Sequence, residues 1–291
     1  MSAKEIYLVK LITFTTIKEF LRYRKTIDSK KLSLVPTMGN IHEGHKSLID
    51  TAKKESDLVI VSLFVNPIQF TSMDEYKSYP STLHRDKEIL AKQGVDILFC
   101  PKKEEIFPKE FNTSIVIDKF ISILEGSFRP GHMEGVATIV TKLFNIINPD
   151  IAIFGEKDFQ QLTLIKSLCK DLNFPIKIIS SKTVRDSNGL ALSSRNNFLS
   201  RDEKFQAHEI YKSLRFGYEQ VIKGEKIAKN IVSLIETRLA NFELIRVEYV
   251  SVRDPNTFEE LKIIHEDFII LIAVLVGNIR LIDNIKFAQK V

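Results

Sequence analysis

Residues 35–45 read Val-Pro-Thr-Met-Gly-Asn-Ile-His-Glu-Gly-His, after an apolar run over 32–35 and before an amphipathic stretch over 47–55. A short apolar run cut by proline predicts a strand, and the stretch beyond it predicts a helix. The loop between them is therefore a strand-to-helix turn. Gly39 and Gly44 permit close backbone approach there, and His42 and His45 stand three residues apart ahead of the helix. A helix N-terminus offers free N–H groups and a partial positive charge, a setting that favours phosphate. A plain turn with surface histidines is the alternative, and two histidines with two glycines in ten residues speak against it.

Outward from this loop the alternation repeats. Apolar runs at 58–65, 97–100, 151–154 and 176–180 predict strands, with a short one at 115–117. Helical spacing fills 82–93, 136–147 and 162–172, with Gly94 and Asn148-Pro149 as stop signals. Strands alternating with helices predict an α/β unit with a parallel sheet. After residue 180 the pattern changes. The polar stretch Arg185-Asp186-Ser187-Asn188-Gly189 marks a boundary, giving domains of 1–183 and 184–291. Helices at 202–223, with Ser200 as N-cap, and 228–241 then precede strands at 245–252, 268–276 and 279–282, a small α+β domain.

Composition narrows the class. The 291 residues are 44% apolar and 27% charged, which excludes a disordered tail, a collagen-like chain and a disulfide-stapled miniprotein. The longest apolar run, 268–276, is nine residues, far short of the ~20 needed to span a bilayer. Lys4, Glu5 and Lys10 interrupt the N-terminal apolar stretch, so no signal-peptide core is read there. Cys100 and Cys169 stand in no metal-ligand spacing and read as reduced core thiols. A cytoplasmic protein with no membrane partner is expected. The net charge of +5 comes from interspersed signs, as in Lys102-Lys103-Glu104-Glu105, and not from the basic stripe that a nucleic-acid partner would require. The balance suits an anionic small substrate.

Three familiar motifs fail on inspection. Gly39 and Gly44 have P-loop spacing, but His45 stands where the lysine should be and Lys46 where the Ser or Thr should be. No GxGxxG follows the strand. The histidines of His42-Glu43-Gly44-His45 are three apart, not the four of a zinc-binding HExxH. Other loops carry candidate chemistry. Gly155-Glu156-Lys157-Asp158 follows a strand, and its lysine can serve a phosphate as a point charge, although alone the string is an ordinary polar turn. Asn66-Pro67-Ile68-Gln69-Phe70 offers two amides suited to hydroxyl and carboxylate groups. Leu192-Ser193-Ser194-Arg195 offers two hydroxyls and a cation. His132, in Arg129-Pro130-Gly131-His132, reads equally as a phosphate contact or a helix cap, whereas His84, His208 and His265 read as structural or surface residues.

The HxGH loop and the Ser-Ser-Arg segment are similar to the HIGH and KMSKS signatures of the nucleotidyltransferase superfamily. The longer strings at 35–45, 64–70 and 154–162 resemble the pantothenate synthetase (pantoate–β-alanine ligase) family, with 129–132, 183–186 and 280–284 in matching order. A cytidylyltransferase on the same fold would share HxGH without the 66–70 and 154–162 strings. The resemblance implies a Rossmann-like first domain that binds nucleotide and pantoate, a smaller lid domain associated with a homodimer, and condensation of (R)-pantoate with β-alanine by ATP through a pantoyl adenylate. It implies an ATP site formed by Pro36, Thr37, Met38, Gly39, Asn40, Ile41, His42, Glu43, Gly44 and His45 with Gly155, Glu156, Lys157, Asp158, Val184, Leu192, Ser193, Ser194 and Arg195. His45, with His42, Lys157 and Arg195, is implied to be catalytic. Met38, Gln69 and Gln161 would contact pantoate, Gln69 also β-alanine, and Asp86 the Mg2+ of Mg-ATP. Leu192 replaces the methionine usual in this family, a swap of similar volume.

Overall fold

The computed structural model describes residues 11–287. The N-terminal charges at Lys4, Glu5 and Lys10, and the last four residues of the expected second domain, lie outside them. Two compact units divide the described chain, one over 11–155 and 164–181, the other over 156–163 and 182–287.

The first unit holds a six-stranded, all-parallel sheet of β1 (Ile12–Phe14), β2 (Leu32–Thr37), β3 (Leu58–Leu63), β4 (Ile97–Phe99), β5 (Ile151–Gly155) and β6 (Lys177–Ser181), in the order β1-β4-β3-β2-β5-β6. The order reverses between β2 and β5. At such a switch point the connections leave on opposite sides and open a crevice beyond the carboxyl ends of the strands. The glycine- and histidine-rich loop leaves β2, so the fold puts it at that crevice. Leu32, Leu34 and Val35 on β2 are fully buried, as are Ile60 and Val61 on β3, the near-continuous apolar reading expected of central parallel strands.

Two local readings change, and one strand that the sequence did not show is added. β1 and the helix Ile17–Arg24 precede the run at 32–35, which is thus the second strand of the chain. At three residues on a sheet edge, β1 is too short to show a period. No strand forms at 115–117, because the Ile115 N–H donates to Thr138 Oγ1 at 2.9 Å in place of a neighbouring strand. Pro36 does not end its strand. β2 pairs with β5 only at Ser33 and Leu34, so Pro36 lies where one side of β2 has no ladder to break. The helix stops behave as read, with Gly94 and Asn148 both at positive φ.

The second unit carries the long helices Arg201–Ile222 and Ala228–Leu239 and a three-stranded antiparallel sheet, β7 (Ile245–Arg253), β8 (Phe268–Val276) and β9 (Ile279–Phe287), in that order. Ser200 caps the first helix reciprocally with Glu203. The nine-residue apolar run is β8, buried at every position but Leu275 because it is the central strand. Phe268, Ile270, Ile272 and Val274 pack with Leu214, Ile231 and Ile235 of the two helices. The fold class expected from the sequence is therefore present in both units.

A helix backbone presses directly on the turn that carries Gln69. A Cβ on Gly135, in the helix His132–Ile147, would lie 2.6 Å from the Ile68 carbonyl oxygen and 2.7 Å from Gln69 Cα. Both are backbone atoms of the Pro67–Gln69 turn and cannot swing aside. Gly135→Ala should therefore destabilise the protein by about 1–3 kcal/mol, as overpacking does, seen as a lower urea midpoint with unchanged slope. An unchanged midpoint would refute the tight contact. Burial pushes the Cys169 thiol up to about 11 and raises Cys100 as well, with Lys87 partly opposing. Thiolate is the reactive form, so both should react slowly with an aromatic disulfide at neutral pH until the chain is unfolded.

Candidate active site

In the first unit the loop after β2 is built on one carboxylate. Asp86, in the helix Leu83–Lys92, is 1% exposed. Its Oδ2 accepts the Asn40 N–H at 2.9 Å and the Thr82 hydroxyl at 3.0 Å, and its Oδ1 accepts the Ile41 N–H at 2.9 Å. Gly39 and Asn40 both take positive φ, 84° and 52°, and a Cβ on Gly39 would stand 3.0 Å from Asp86 Oδ2. Glycine is thus required by both φ and space. Thr37 Oγ1 donates to the Ser62 carbonyl at 2.9 Å and accepts the Gly39 N–H at 3.3 Å. A carboxylate has about four acceptor positions, and three here serve the protein itself. The donor set fits a loop anchor and fits a magnesium ligand poorly.

The turn so held delivers His42 to the N-cap of the helix Glu43–Glu55. His42 Nδ1 accepts the Gly44 N–H at 3.1 Å, and His45 Nδ1 accepts the His42 N–H at 3.3 Å. An accepting Nδ1 carries no proton, so each neutral ring carries it on Nε2 and can donate there. The two rings lie 4.1 Å apart, tilted by 38°. Glu43 is exposed and pairs with Lys46 at 2.6 Å. Together the two rings can offer two N–H donors beside a helix N-terminus.

The loop after β3 joins this group. Gln69 Nε2 lies 3.1 Å from Met38 Sδ, and Gln69 Oε1 accepts from Asn66 Nδ2 at 2.8 Å. Asn66 Nδ2 also donates to the Gly135 carbonyl at 3.0 Å, while its buried Oδ1 accepts no hydrogen bond. His132 is the first residue of its helix and not the cap, which is Gly131. Arg129 has no acceptor, so its Nη1 donates to His132 Nε2 at 3.0 Å, and His132 Nδ1–H donates to the Gln69 carbonyl at 2.7 Å. Both ring nitrogens serve to place Gln69. Arg129 is itself flanked by Glu75 at 3.5 Å and Glu125 at 3.9 Å.

The remaining candidates belong to the second unit, except Gly155, which ends β5. Glu156–Asp158 forms a 3₁₀ turn ahead of the helix Phe159–Asp171, which carries Gln161. Lys157 Nζ lies 3.5 Å from Asp158 Oδ1, with the lysine side chain 19% exposed. Val184 and Leu192 meet, the Leu192 N–H donating to the Val184 carbonyl at 2.9 Å, and the segment between them folds back through an Arg185–Ala191 bridge. Ser193 caps the short turn Ser194–Phe198, its hydroxyl accepting the Arg195 N–H at 3.2 Å. Of the histidines set aside, His208 is structural, Nε2 lying 3.1 Å from Asp186 Oδ2. Among the described residues no cluster of three His, Cys, Asp or Glu side chains is arranged to hold a metal ion, and no helix is long and apolar enough to cross a membrane.

Sequence spacing gave no sign of the buried partners Asp86–Asn40, His132–Gln69 and Asn284–Lys157, which lie 46, 63 and 127 residues apart. The family resemblance had marked Asp86 and the strings at 129–132 and 280–284, but not the partners that these residues hold.

Comparison with known proteins is consistent across the chain. The family model described as pantoate-beta-alanine ligase matches residues 12–286. A pantothenate synthetase of Thermoanaerobacter pseudethanolicus is 44% identical over 277 residues, 95% of this chain and 98% of that protein. One from Aquifex aeolicus is 44% identical over 93% of this chain and 95% of its own length. The crystal structure of pantothenate synthetase from Thermus thermophilus superposes with a TM-score of 0.89 at 36% identity, covering 94% of this chain and 99% of the other. The Francisella tularensis pantoate-beta-alanine ligase, crystallised with beta-gamma ATP and beta-alanine, gives a TM-score of 0.77 at 36% identity, covering 94% and 97%. With the match running through both units and through every candidate loop, the chain belongs to the pantoate–β-alanine ligase family.

Proposed function

We propose that this chain, an ATP-dependent ligase of (R)-pantoate and β-alanine, works through a pantoyl adenylate and releases pyrophosphate and then AMP. A carboxylate is a poor electrophile at neutral pH and must be activated before an amine can displace oxygen from it. In this reading the pantoate carboxylate attacks the α-phosphorus, pyrophosphate leaves, and the β-alanine amine attacks the acyl carbon with AMP as leaving group. The catalysis asked of the protein is positioning and charge stabilisation.

The observation that carries the reading is the pair of histidine caps at the β2 loop. His42 and His45 each use Nδ1 to accept a backbone N–H, which leaves Nε2–H as the donor. Fixed neutral donors beside a helix N-terminus stabilise charge that builds on phosphate oxygens without first having to reorient. In the same reading Lys157 and Arg195 supply cations to the phosphates, and residues 36–45, 155–158, Val184 and 192–195 form the nucleotide site. Met38, Gln69 and Gln161 take pantoate, with Gln69 shared by β-alanine. The unmet Asn66 Oδ1, beside Gln69, would suit a substrate hydroxyl. Magnesium is taken as part of the Mg-ATP substrate. The division into a nucleotide- and pantoate-binding domain over 1–183 and a lid over 184–291, the homodimer and the cytoplasmic location rest on the family resemblance.

The two-step scheme is tested by exchange. Labelled pyrophosphate should enter ATP when pantoate is present and β-alanine is absent, and strict dependence of exchange on β-alanine would overturn the adenylate. A second test concerns the donors. Removing one donor of the oxyanion-hole kind costs about 10²–10³-fold in rate, so His45→Ala and Lys157→Ala should each lower kcat/KM on that scale while melting near the parent temperature. A folded His45→Ala protein with parental turnover would remove His45 from the mechanism.

A further inference from the structure

Lys157 sits on a turn that a single amide grips from another part of the chain. Asn284, on β9 and 5% exposed, donates from one nitrogen to two consecutive carbonyls, those of Glu156 at 2.8 Å and Lys157 at 2.9 Å. Those two carbonyls belong to the peptide planes on either side of the Lys157 Cα. Fixing both planes fixes φ and ψ of Lys157, and with them the direction in which its Cβ leaves the backbone. An amide NH2 brings two hydrogens on one neutral nitrogen. Aspartate has no donor, and serine has one on a shorter stem.

The amide is itself held. The Asn284 N–H donates to Asp283 Oδ1 at 2.7 Å, and its carbonyl accepts from Arg185 Nη2 at 3.1 Å. Arg185 forks onto Asp283, Nη1 to Oδ2 at 2.6 Å and Nη2 to Oδ1 at 2.9 Å, a bidentate geometry that restricts both partners. The guanidinium also lies 3.6 Å from the Tyr211 ring centroid and donates to the Gly189 carbonyl at 3.1 Å. On the other side of the turn, Phe159 stacks on Phe258 with centroids 6.5 Å apart, and Lys286 Nζ lies 5.7 Å from the Phe159 ring. Residues 156–163 accordingly belong to the second unit, although the strand that leads into them belongs to the first.

We propose that Asn284, locked by the Arg185–Asp283 ion pair, is a positioning residue that sets the backbone of Lys157 for its work on the nucleotide. The proposal rests on the phosphate-binding role proposed for Lys157. Asn284 acts through that lysine and not on the substrate. A displacement of about 1 Å at a reacting group can cost on the order of 10²-fold in rate, so loss of the amide should be felt in turnover before it is felt in binding of the amine substrate.

The test is a double-mutant cycle between Asn284→Ala and Lys157→Ala, read by pantoate-dependent pyrophosphate exchange and by steady-state kinetics. Asn284→Ala should lower the exchange rate and kcat about 10- to 10²-fold with KM for β-alanine unchanged. In the Lys157→Ala background the same substitution should cost about twofold or less, because its effect runs through a side chain already removed. Asn284→Ser falls short of both carbonyls and should repeat the result, which covers an alanine variant that does not fold. Equal effects of Asn284→Ala in both backgrounds, parental exchange in either folded variant, or failure of both variants to fold would overturn the positioning role. Parental activity of Lys157→Ala alone would instead overturn the role of Lys157, so the two failures are separable.

Discussion

A buried carboxylate that accepts backbone N–H groups is the constraint on which the β2 loop depends. Asp86 is removed from water, and an ion so placed is tolerated only when its lone pairs are matched by good donors. The donors it finds are consecutive amides of Asn40 and Ile41, which must turn inward together to reach it. That demand forces left-handed backbone at Gly39 and Asn40 and leaves no room for a side chain at residue 39. The chain then emerges from the turn in the one direction that starts the helix Glu43–Glu55 with His42 at its cap. A charge buried on a neighbouring helix thus determines where two imidazoles stand.

The same device recurs at the other candidate loops with different chemistry. Gln69 has its carbonyl held by a neutral His132, whose own tautomer is set by Arg129. Lys157 has its flanking carbonyls held by Asn284, which is set by the Arg185–Asp283 pair. In each case a side chain far off in the sequence binds main-chain atoms of the loop and not the side chain that faces the chemistry. Main-chain anchoring removes the backbone freedom that would blur the position of the side chain.

Fold and site were legible to different depths for physical reasons. The strands and long helices were written in local apolar periodicity, so the run at 268–276 matched β8 residue for residue and Ser200 marked its helix start. What periodicity cannot carry is a three-residue edge strand such as β1, or the fate of an extended piece such as 115–117, whose N–H found Thr138 and not a strand. The β2 loop was legible because dense glycine and histidine after a strand is a rare local pattern. The backbone atoms that Asp86, His132 and Asn284 hold were not, since those pairings join residues far apart in sequence and exist only once the fold brings each side chain to a loop backbone. His132 shows the difficulty most clearly. From sequence it read equally as a cap or a phosphate contact, and spacing gave no hint of the carbonyl 63 residues away that its ring meets along with an arginine three residues before it.

The tautomers that these supports impose bear on the kind of catalysis the loop can perform. His42 and His45 accept at Nδ1 from main-chain N–H groups of their own helix start. A second proton on either ring would point one N–H at another, so the caps favour the neutral rings that present only Nε2–H. A neutral donor held in this way stabilises developing negative charge without carrying a full charge into the resting site, where an imidazolium would bind phosphate and transition state alike. Only interactions that are stronger in the transition state than in the ground state raise the rate. In the function proposed above, neutral donors on the β2 loop would serve the displacement itself, a role that asks for no nucleophile on the protein.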